Sequence, residues 1–358
     1  MTKLVLSEIH EKLGGKMINF SGYHMPIQYR DGVKVEHETV RNKVGVFDVS
    51  HMGEIFVSGK NSLELLQHIT SNDVNKLVPG KVQYTCLPND YGGIIDDCLL
   101  YMISEDMYLL VVNASNIEKD LAWIKKQNSF GCHINNQSEN YSLLAVQGPD
   151  SIKLLQELTK VHLNNIKYYH FEIGSIANIN KVIISRTGYT GEIGFELYVK
   201  NQYVKKLWDA LFSTPIEIKP IGLAARDTLR LENGFCLYGN DINETTSPVE
   251  AGLGWITKFS KSFISHEILR TQQNRGAEKK LVGLEMIERG IARKGYPIMS
   301  TENIEIGFIT SGTMSPTLGK SIAMGYIKNK MSNINNEVCI IIRNKKVNAK
   351  VVPLPFVK

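Results

Sequence analysis

The sequence predicts an α+β protein: two related units of split βαβ type followed by a small all-β barrel. Three observations predict it. An order of strand, helix, strands, helix runs twice through the first part of the chain; a polar stretch interrupts the pattern; and beyond it the chain is rich in strands and in Gly, Pro and Asn turns. The 358 residues suffice for about two to three domains of roughly 150 residues each. A chain of this length buries about three-quarters of its unfolded surface without staples.

The first pass of the repeat opens with the short strand EIFVSG and the helix SLELLQHIT from Ser62. Strands are expected near Val82 to Leu87, Ile94 to Ile103 and Met107 to Asn113. A helix from about Asn116 then sets Ile117, Leu121 and Ile124 on one face. The second pass opens with LLAVQG and SIKLLQELT from Ser151. Strands near Phe171 to Ile176, Lys181 to Arg186 and Ile193 to Val199 follow, and then a helix from about Gln202 to Phe212. Each repeated helix has serine or aspartate near its start, as helix N-termini prefer. Duplication and the chance likeness of two amphipathic helices both account for the pair at this level. ILRTQQNRGAEKK, from Ile268 to Lys280, reads as a linker, and LVGLEMI, ENIEIGFITSG, IAMGYI and EVCIIIRNKKVNAKVV supply the barrel strands.

Composition excludes several classes. Hydrophobic residues make up 43% and charged residues 22% of the chain, without low-complexity runs, so it is an ordinary globular protein and not a disordered or fibrous one. The longest apolar runs, such as YLLVV at Tyr108 to Val112, fall well short of the roughly 18 to 20 residues of a membrane span. MTKLVLSEIHEK meets Glu8, His10 and Glu11 too early for a signal peptide, so a cytoplasmic protein, or a mature organelle protein, is expected. The five cysteines, Cys86, Cys98, Cys132, Cys236 and Cys339, are odd in number and never in CxxC spacing. This supports neither a disulfide framework nor a zinc ribbon, and buried free thiols are expected. Formal charge is +5 overall, but residues 270–358 hold 15 Lys and Arg against 6 Asp and Glu, leaving 26 against 30 for the rest. With sparse aromatics and no nucleic-acid module there, an acidic partner or an anionic small molecule fits this basic region better than nucleic acid; solvated surface lysines fit it equally.

Two motifs fail. TLGKS at Thr317 to Ser321 imitates the end of a phosphate-binding loop, but the first glycine of GxxxxGK[ST] falls on Met314 and Pro316 stiffens the middle. EHETVR from Glu36 starts like a zinc helix, yet Arg41 stands where the second histidine belongs, so no metal site is expected. Other segments place acids among apolar residues. In GGIIDDCLLYMI, Asp97 shares a strand face with Ile95, Leu99 and Tyr101, whereas Asp96 faces the other way with Ile94 and Cys98. A carboxylate so placed is paired, hydrogen-bonded or used, and an edge-strand aspartate bonded to a loop is as good an account. SRTGYTGEIGFELYV reads as a hairpin turned by Gly188 and Gly191, with Phe195, Leu197 and Val199 on one face and Glu196 and Tyr198 on the other. GLAARDTLRLENG follows as a helix closed by Gly234, with Arg226 and Arg230 one turn apart, where core-flanking salt bridges are the simpler reading.

Seven ordered strings together resemble one family: FSGYHMPIQY at Phe20, VGVFDVSHMGE at Val44, GGIIDD at Gly92, SRTGYTGE at Ser185, GLAARDTLRLE at Gly222, LYGNDINETTSPVEAGLGW at Leu237 and ITSGTMSPTLGKSIAMGY at Ile309. They resemble the aminomethyltransferases, the T proteins of the glycine cleavage system, from about residue 10 to the end. That resemblance implies a three-domain cloverleaf around a central tetrahydrofolate pocket. Residues 1–267 would form the folate-binding region, as two α+β units of approximately 1–51 with 141–267 and 52–140, and residues 281–358 the barrel. It implies transfer of an aminomethyl group from the dihydrolipoyl arm of a small, acidic, lipoylated H protein to tetrahydrofolate, with ammonia and methylene-tetrahydrofolate as products, a step of glycine catabolism. A monomer outside that complex is expected, with neither nucleic acid nor membrane as partner.

Carried over by motif, the resemblance makes Asp97 the catalytic carboxylate. It sets Met52, Tyr84, Tyr101, Asn113, Tyr169 and Tyr189 around the folate, with Tyr168 adjoining Tyr169 as a competitor for that position. Glu196 would hold the pterin, Arg226 would accompany it, and Trp255 and Arg293 would lie near the pocket. The chemistry agrees: a carboxylate accepts the adjacent ring N–H and amino group of a reduced pterin, at about 1.5–3 kcal/mol for each charge-assisted bond. A fixed carboxylate in a water-poor pocket likewise stabilises the cationic charge that develops on the transferred carbon. Many family members continue past PFVK with a tail that reaches the folate, and no such contact is expected here. Two relatives of the same fold compete with this reading. A non-enzymatic folate-binding accessory protein of iron–sulfur assembly carries a KGCxxGQE-like string, where this chain has NGFCLYGNDI and keeps Asp97. The folate domain of sarcosine- or dimethylglycine-oxidising enzymes needs a flavin domain, and no dinucleotide fingerprint is present, which leaves a free-standing folate-dependent demethylating transferase on the same fold as the alternative.

Overall fold

The computed structural model describes residues 1–357. The chain divides into two compact units, one of Met1–Leu66, Val74–Tyr84 and Cys98–Asp227, the other of Gln67–Asp73, Thr85–Asp97 and the chain from Thr228 on. No helix among the described residues is long and apolar enough to cross a membrane.

The repeated pattern is present as two sheets of matching strand order. Val82–Pro88, Ile94–Ser104, Met107–Val112 and Gly53–Ser58 lie side by side in that order, and Phe171–Ile176, Ile179–Ser185, Gly194–Lys200 and Tyr141–Gln147 repeat it. In both, the last strand of the meander returns antiparallel beside the strand that opened the pass, with Gly53 opposite Val112 and Gln147 opposite Gly194. The intervening helices are Ser62–Ile69 and Ser151–Gln156, the second shorter than its sequence pattern suggests. The closing helices are Ile117–Gln127 and Asn201–Phe212. The latter buries Val204, Leu207, Trp208 and Leu211, one stripe at helical spacing, in the same core as Phe195, Leu197 and Val199.

A buried polar chain ties the first helix, Ser7–Lys12, to this core. His10 Nε2 lies 2.8 Å from Asp48 Oδ2 and His10 Nδ1 lies 2.8 Å from the Tyr29 hydroxyl, while Ser50 donates to Asp48 Oδ1 through its N–H (3.0 Å) and its hydroxyl (2.5 Å). Burial alone would raise the Asp48 pKa; the His10 hydrogen bond and charge, with the Ser50 bonds, outweigh it and hold the carboxyl below its ordinary value. A depressed carboxylate stabilises the fold above its unfolded pKa of about 4 and loses that contribution as pH falls through the folded value. Thermal melts below about pH 4 should therefore fall less steeply for Asp48→Asn than for the parent. Equal acid slopes would remove Asp48 from the balance. Glu36 of EHETVR is also structural: its carboxylate accepts the backbone N–H groups of Tyr29 at 2.6 Å and Gly222 at 2.7 Å.

The C-terminal strands close into a barrel in the order Lys279–Met286, Ser321–Lys328, Glu305–Met314, Pro297–Met299, Glu337–Ile342 and Lys345–Val352, the last pairing back onto the first. Leu284, Ile298, Ile309, Ala323, Ile340 and Ala349 belong to its apolar core, and closure leaves no unpaired sheet edge. TLGKS does not cradle a phosphate: the Glu232 carboxylate accepts the Ser315 hydroxyl at 2.5 Å, the Thr317 N–H at 3.1 Å and the Thr317 hydroxyl at 2.8 Å. The stretch from Ile268 to Lys280 requires a correction. Most of it is not a linker but part of a helix, His266–Arg275, ended by Gly276 at φ 80°. Leu269 is the one buried residue of that helix, so no apolar stripe marks it in the sequence.

Candidate active site

In the first unit the hairpin strands Ile179–Ser185 and Gly194–Lys200 pair with Ser185 opposite Glu196 and Ile183 opposite Tyr198. Alternation sends Phe195, Leu197 and Val199 into the core and leaves Glu196 and Tyr198 on the opposite face. Gly191, at φ 80°, turns the chain, whereas a Cβ on Gly188 would meet Gln147 Oε1 at 2.1 Å, so close approach explains that glycine. Glu196 is 6% exposed and accepts the Thr187 hydroxyl at 2.5 Å. Thr187 is held by Ser185 at 2.9 Å, and the Tyr101 hydroxyl lies 3.1 Å from Ser185 and 2.8 Å from the Tyr198 hydroxyl. Burial raises the Glu196 pKa against the opposing pull of Thr187 and Arg226.

Arg226, on the helix Leu223–Glu232, lies 4.7 Å over the Tyr189 ring. Its Nη1 is buried with no hydrogen-bond partner among the described residues. Burial, and then the Arg226 charge, lower the His51 pKa to about 4, which keeps that imidazole neutral. Tyr169 adopts a left-handed backbone at φ 59°, its N–H donating to the Arg186 carbonyl and its carbonyl accepting the Val82 N–H. Such a conformation in a bulky residue is uncommon and persists where surrounding bonds impose it. Burial, with the charge of Tyr168 and then Glu196, raises the Tyr169 pKa. Tyr168, 61% exposed, packs edge-on against it. Tyr101, Tyr169, Tyr189, Glu196 and Arg226 thus form one cluster, whereas Met52, Tyr84 and Asn113 are half-buried on other elements of this unit.

In the second unit the turn before Asp97 is fixed residue by residue. Asn89 Oδ1 accepts the N–H groups of Tyr91 and Gly93, both at 2.9 Å, and Gly92 takes φ 85°. A Cβ on Gly93 would stand 1.8 Å from the Glu244 carbonyl oxygen, so only glycine fits. Ile94 donates its N–H to the carbonyls of Asn243 and Thr246, and its own carbonyl accepts the Tyr238 hydroxyl at 3.1 Å. The root of the Asp97 strand is thereby clamped to the loop of residues 237–246. That loop is in turn anchored by a buried ion pair, Arg230 Nη1 to Asp241 Oδ2 at 2.8 Å.

Asp96 is fully buried, while Asp97 is only half-buried. Burial raises the pKa of the Cys86 and Cys236 thiols well above the ordinary value, and the Asp97 charge adds to the shift in both. Trp255, 61% exposed, sits in the short helical turn Gly254–Ile256. Arg293 is exposed on the barrel and donates to the Gly312 carbonyl at 2.9 Å. Tyr198 was placed on the Glu196 face by sequence but given no role, and Thr187 and His51 were not singled out; the RT and SH steps inside SRTGYTGE and VSHMGE are the signals for those two.

Residues 6–261 match the family described as the GCVT N-terminal domain, and residues 279–358 that described as the glycine cleavage T-protein C-terminal barrel domain. The aminomethyltransferase of Flavobacterium psychrophilum is 54% identical over 360 residues, covering 100% of both chains. That of Bacteroides fragilis is 55% identical over 356 residues, covering 98% of each. Among solved structures, glycine cleavage system aminomethyltransferase T from Bartonella henselae superposes with a TM-score of 0.94 at 34% identity, over 99% of this chain and 98% of that one.

Proposed function

This chain belongs to the glycine cleavage T-protein family and is an aminomethyltransferase, a tetrahydrofolate-dependent transferase; on that premise we propose that it moves the aminomethyl carbon from the dihydrolipoyl arm of an acidic H protein to tetrahydrofolate, releasing ammonia and methylene-tetrahydrofolate. The observation that carries this reading is the Glu196–Arg226 pair: a buried acid bonded by Thr187, beside a guanidinium whose buried Nη1 has no partner among the described residues. Buried polar groups are normally satisfied, so an orphan beside a buried acid suits a polar ligand.

In this reading Glu196 accepts the paired donors of the pterin edge, and Arg226 accompanies it, its charge favouring the ionised carboxylate and its Nη1 left for the ligand. Tyr101, Tyr169 and Tyr189 wall the ring, with Met52, Tyr84, Asn113, Trp255 and Arg293 as further contacts. Asp97 stabilises the positive charge that develops on the transferred carbon as ammonia leaves. The same proposal includes a cytoplasmic setting, a monomer outside the H-protein complex, and a division into units of approximately 1–51 with 141–267, 52–140 and 281–358, which the two sheets and the barrel support. Mixing the purified protein with tetrahydrofolate and aminomethyl-loaded H protein tests the reaction, with ammonia and methylene-tetrahydrofolate as the readout.

Two expected results arise directly. Glu196→Gln should weaken folate binding more than it slows the chemical step, because an amide places a donor where one acceptor stood. Unchanged affinity by calorimetry would take Glu196 out of the pocket. The excess of positive charge in residues 270–358 should steer the acidic partner, so association should slow markedly as salt rises. Partner on-rates that stay flat from low to physiological ionic strength would rule out that steering.

A further inference from the structure

A cavity of about 380 Å³ opens on the wall of the barrel, lined by side chains that the aminomethyl-transfer reading does not use. Its aromatic wall is built by register: Phe308 stands opposite Tyr326 on neighbouring strands, the rings 6.0 Å apart, with Tyr326 1% and Phe308 44% exposed. Its cations are placed the same way, since Lys279 and Lys328 are direct cross-strand partners. Two like charges at such a position repel, and they are tolerated because acids line the same space. Glu250 is buried, accepts the Ser247 N–H at 3.1 Å and holds Oε2 4.0 Å from Lys279 Nζ, beyond hydrogen-bond length; Glu278 adds a second carboxylate. Lys279 Nζ also stands 5.3 Å from the Tyr326 ring centroid.

The cavity thus offers two cations, two anions and an apolar aromatic wall, within the size range of small-molecule sites. A lone anion would meet Glu250 and Glu278, and a lone cation would meet Lys279 and Lys328. A molecule bearing both charges on one carbon satisfies both pairs and leaves its side chain to Phe308. We propose that this cavity is a binding site for a small zwitterion, a free α-amino acid with an apolar side chain. Its carboxylate lies between Lys279 and Lys328, its ammonium toward Glu250 and Glu278, and its side chain against Phe308.

Calorimetry or ligand-observed NMR on the full-length protein tests this with three probes of one shape: L-leucine, 4-methylpentanoate, which lacks the ammonium, and 3-methylbutylamine, which lacks the carboxylate. Leucine should bind saturably and about tenfold or more tighter than either single-charge probe. Lys328→Ala, Phe308→Ala and the near-isosteric Glu278→Gln should each weaken leucine by about tenfold, with melting temperature and aminomethyl transfer unchanged. Three results would overturn the site: no saturable leucine binding, 4-methylpentanoate or 3-methylbutylamine binding as tightly as leucine, or leucine affinity unaltered in all three variants.

Discussion

An Asp97→Asn variant is expected to lower aminomethyl transfer by about two to four orders of magnitude while keeping its fold and most of its folate affinity, the range typical of a positioned charged catalytic group. The substitution keeps size and removes charge. The charge to be stabilised develops only during transfer, so its loss raises the barrier more than it weakens ground-state binding. The setting favours a large effect, because Asp97 is half-buried and a carboxylate partly withdrawn from water acts on nearby charge with less screening. Asp96, fully buried on the other strand face, is the internal control: Asp96→Asn should cost stability without slowing turnover per folded molecule. Single-turnover assays on both variants, with folding checked by melts, decide the matter. Near-parental transfer by Asp97→Asn, or slower transfer by an equally folded Asp96→Asn, would move the catalytic role away from Asp97.

That contrast between adjacent aspartates was legible in the sequence, because alternation along a strand assigns faces before any partner is known, as it does for Glu196 against Phe195 and Leu197. The repeated sheets and the barrel were legible for the same reason: strand and helix periodicities survive wherever one face is buried. Legibility failed where burial is thin or partners are remote. The helix His266–Arg275 buries Leu269 alone, so its polar sequence read as a linker. Arg226 and Arg230 sit one turn apart and read as equivalent, yet Arg226 stacks on Tyr189, 37 positions away in the chain, while Arg230 pairs with Asp241. Helical spacing alone does not distinguish two arginines whose neighbours are delivered by tertiary structure; only the motif resemblance singles out Arg226. Thr187 escaped notice because a threonine in a hairpin reads as strand propensity, and only the folded register brings its hydroxyl to Glu196.

The Arg230–Asp241 pair should dominate stability in its unit. Both side chains are essentially excluded from water, at 1% and 0% exposure. Asp241 accepts hydrogen bonds from Arg230 at 2.8 Å, the Leu237 N–H at 2.9 Å, the Thr310 hydroxyl at 2.5 Å and the Ser311 hydroxyl at 3.0 Å, and Arg230 also donates to Ser311 and to the Phe235 carbonyl. Removing one partner strands a buried charge, so Asp241→Ala should cost about 3–5 kcal/mol, read as a lower denaturant midpoint for this unit. Replacing both charges, as Arg230→Met with Asp241→Leu, should recover much of that loss, because no uncompensated ion remains. The Tyr326 hydroxyl donates to the Asp241 carbonyl, and the loop that holds Asp241 also clamps Ile94 at the root of the Asp97 strand. Asp241→Ala should therefore slow transfer in the molecules that remain folded, and the double replacement, which removes the Leu237 N–H acceptor as well, should restore stability further than turnover. A single variant that loses less than about 1 kcal/mol, the worth of an ordinary exposed ion pair, would show that the network is relaxed by water and does not anchor the loop.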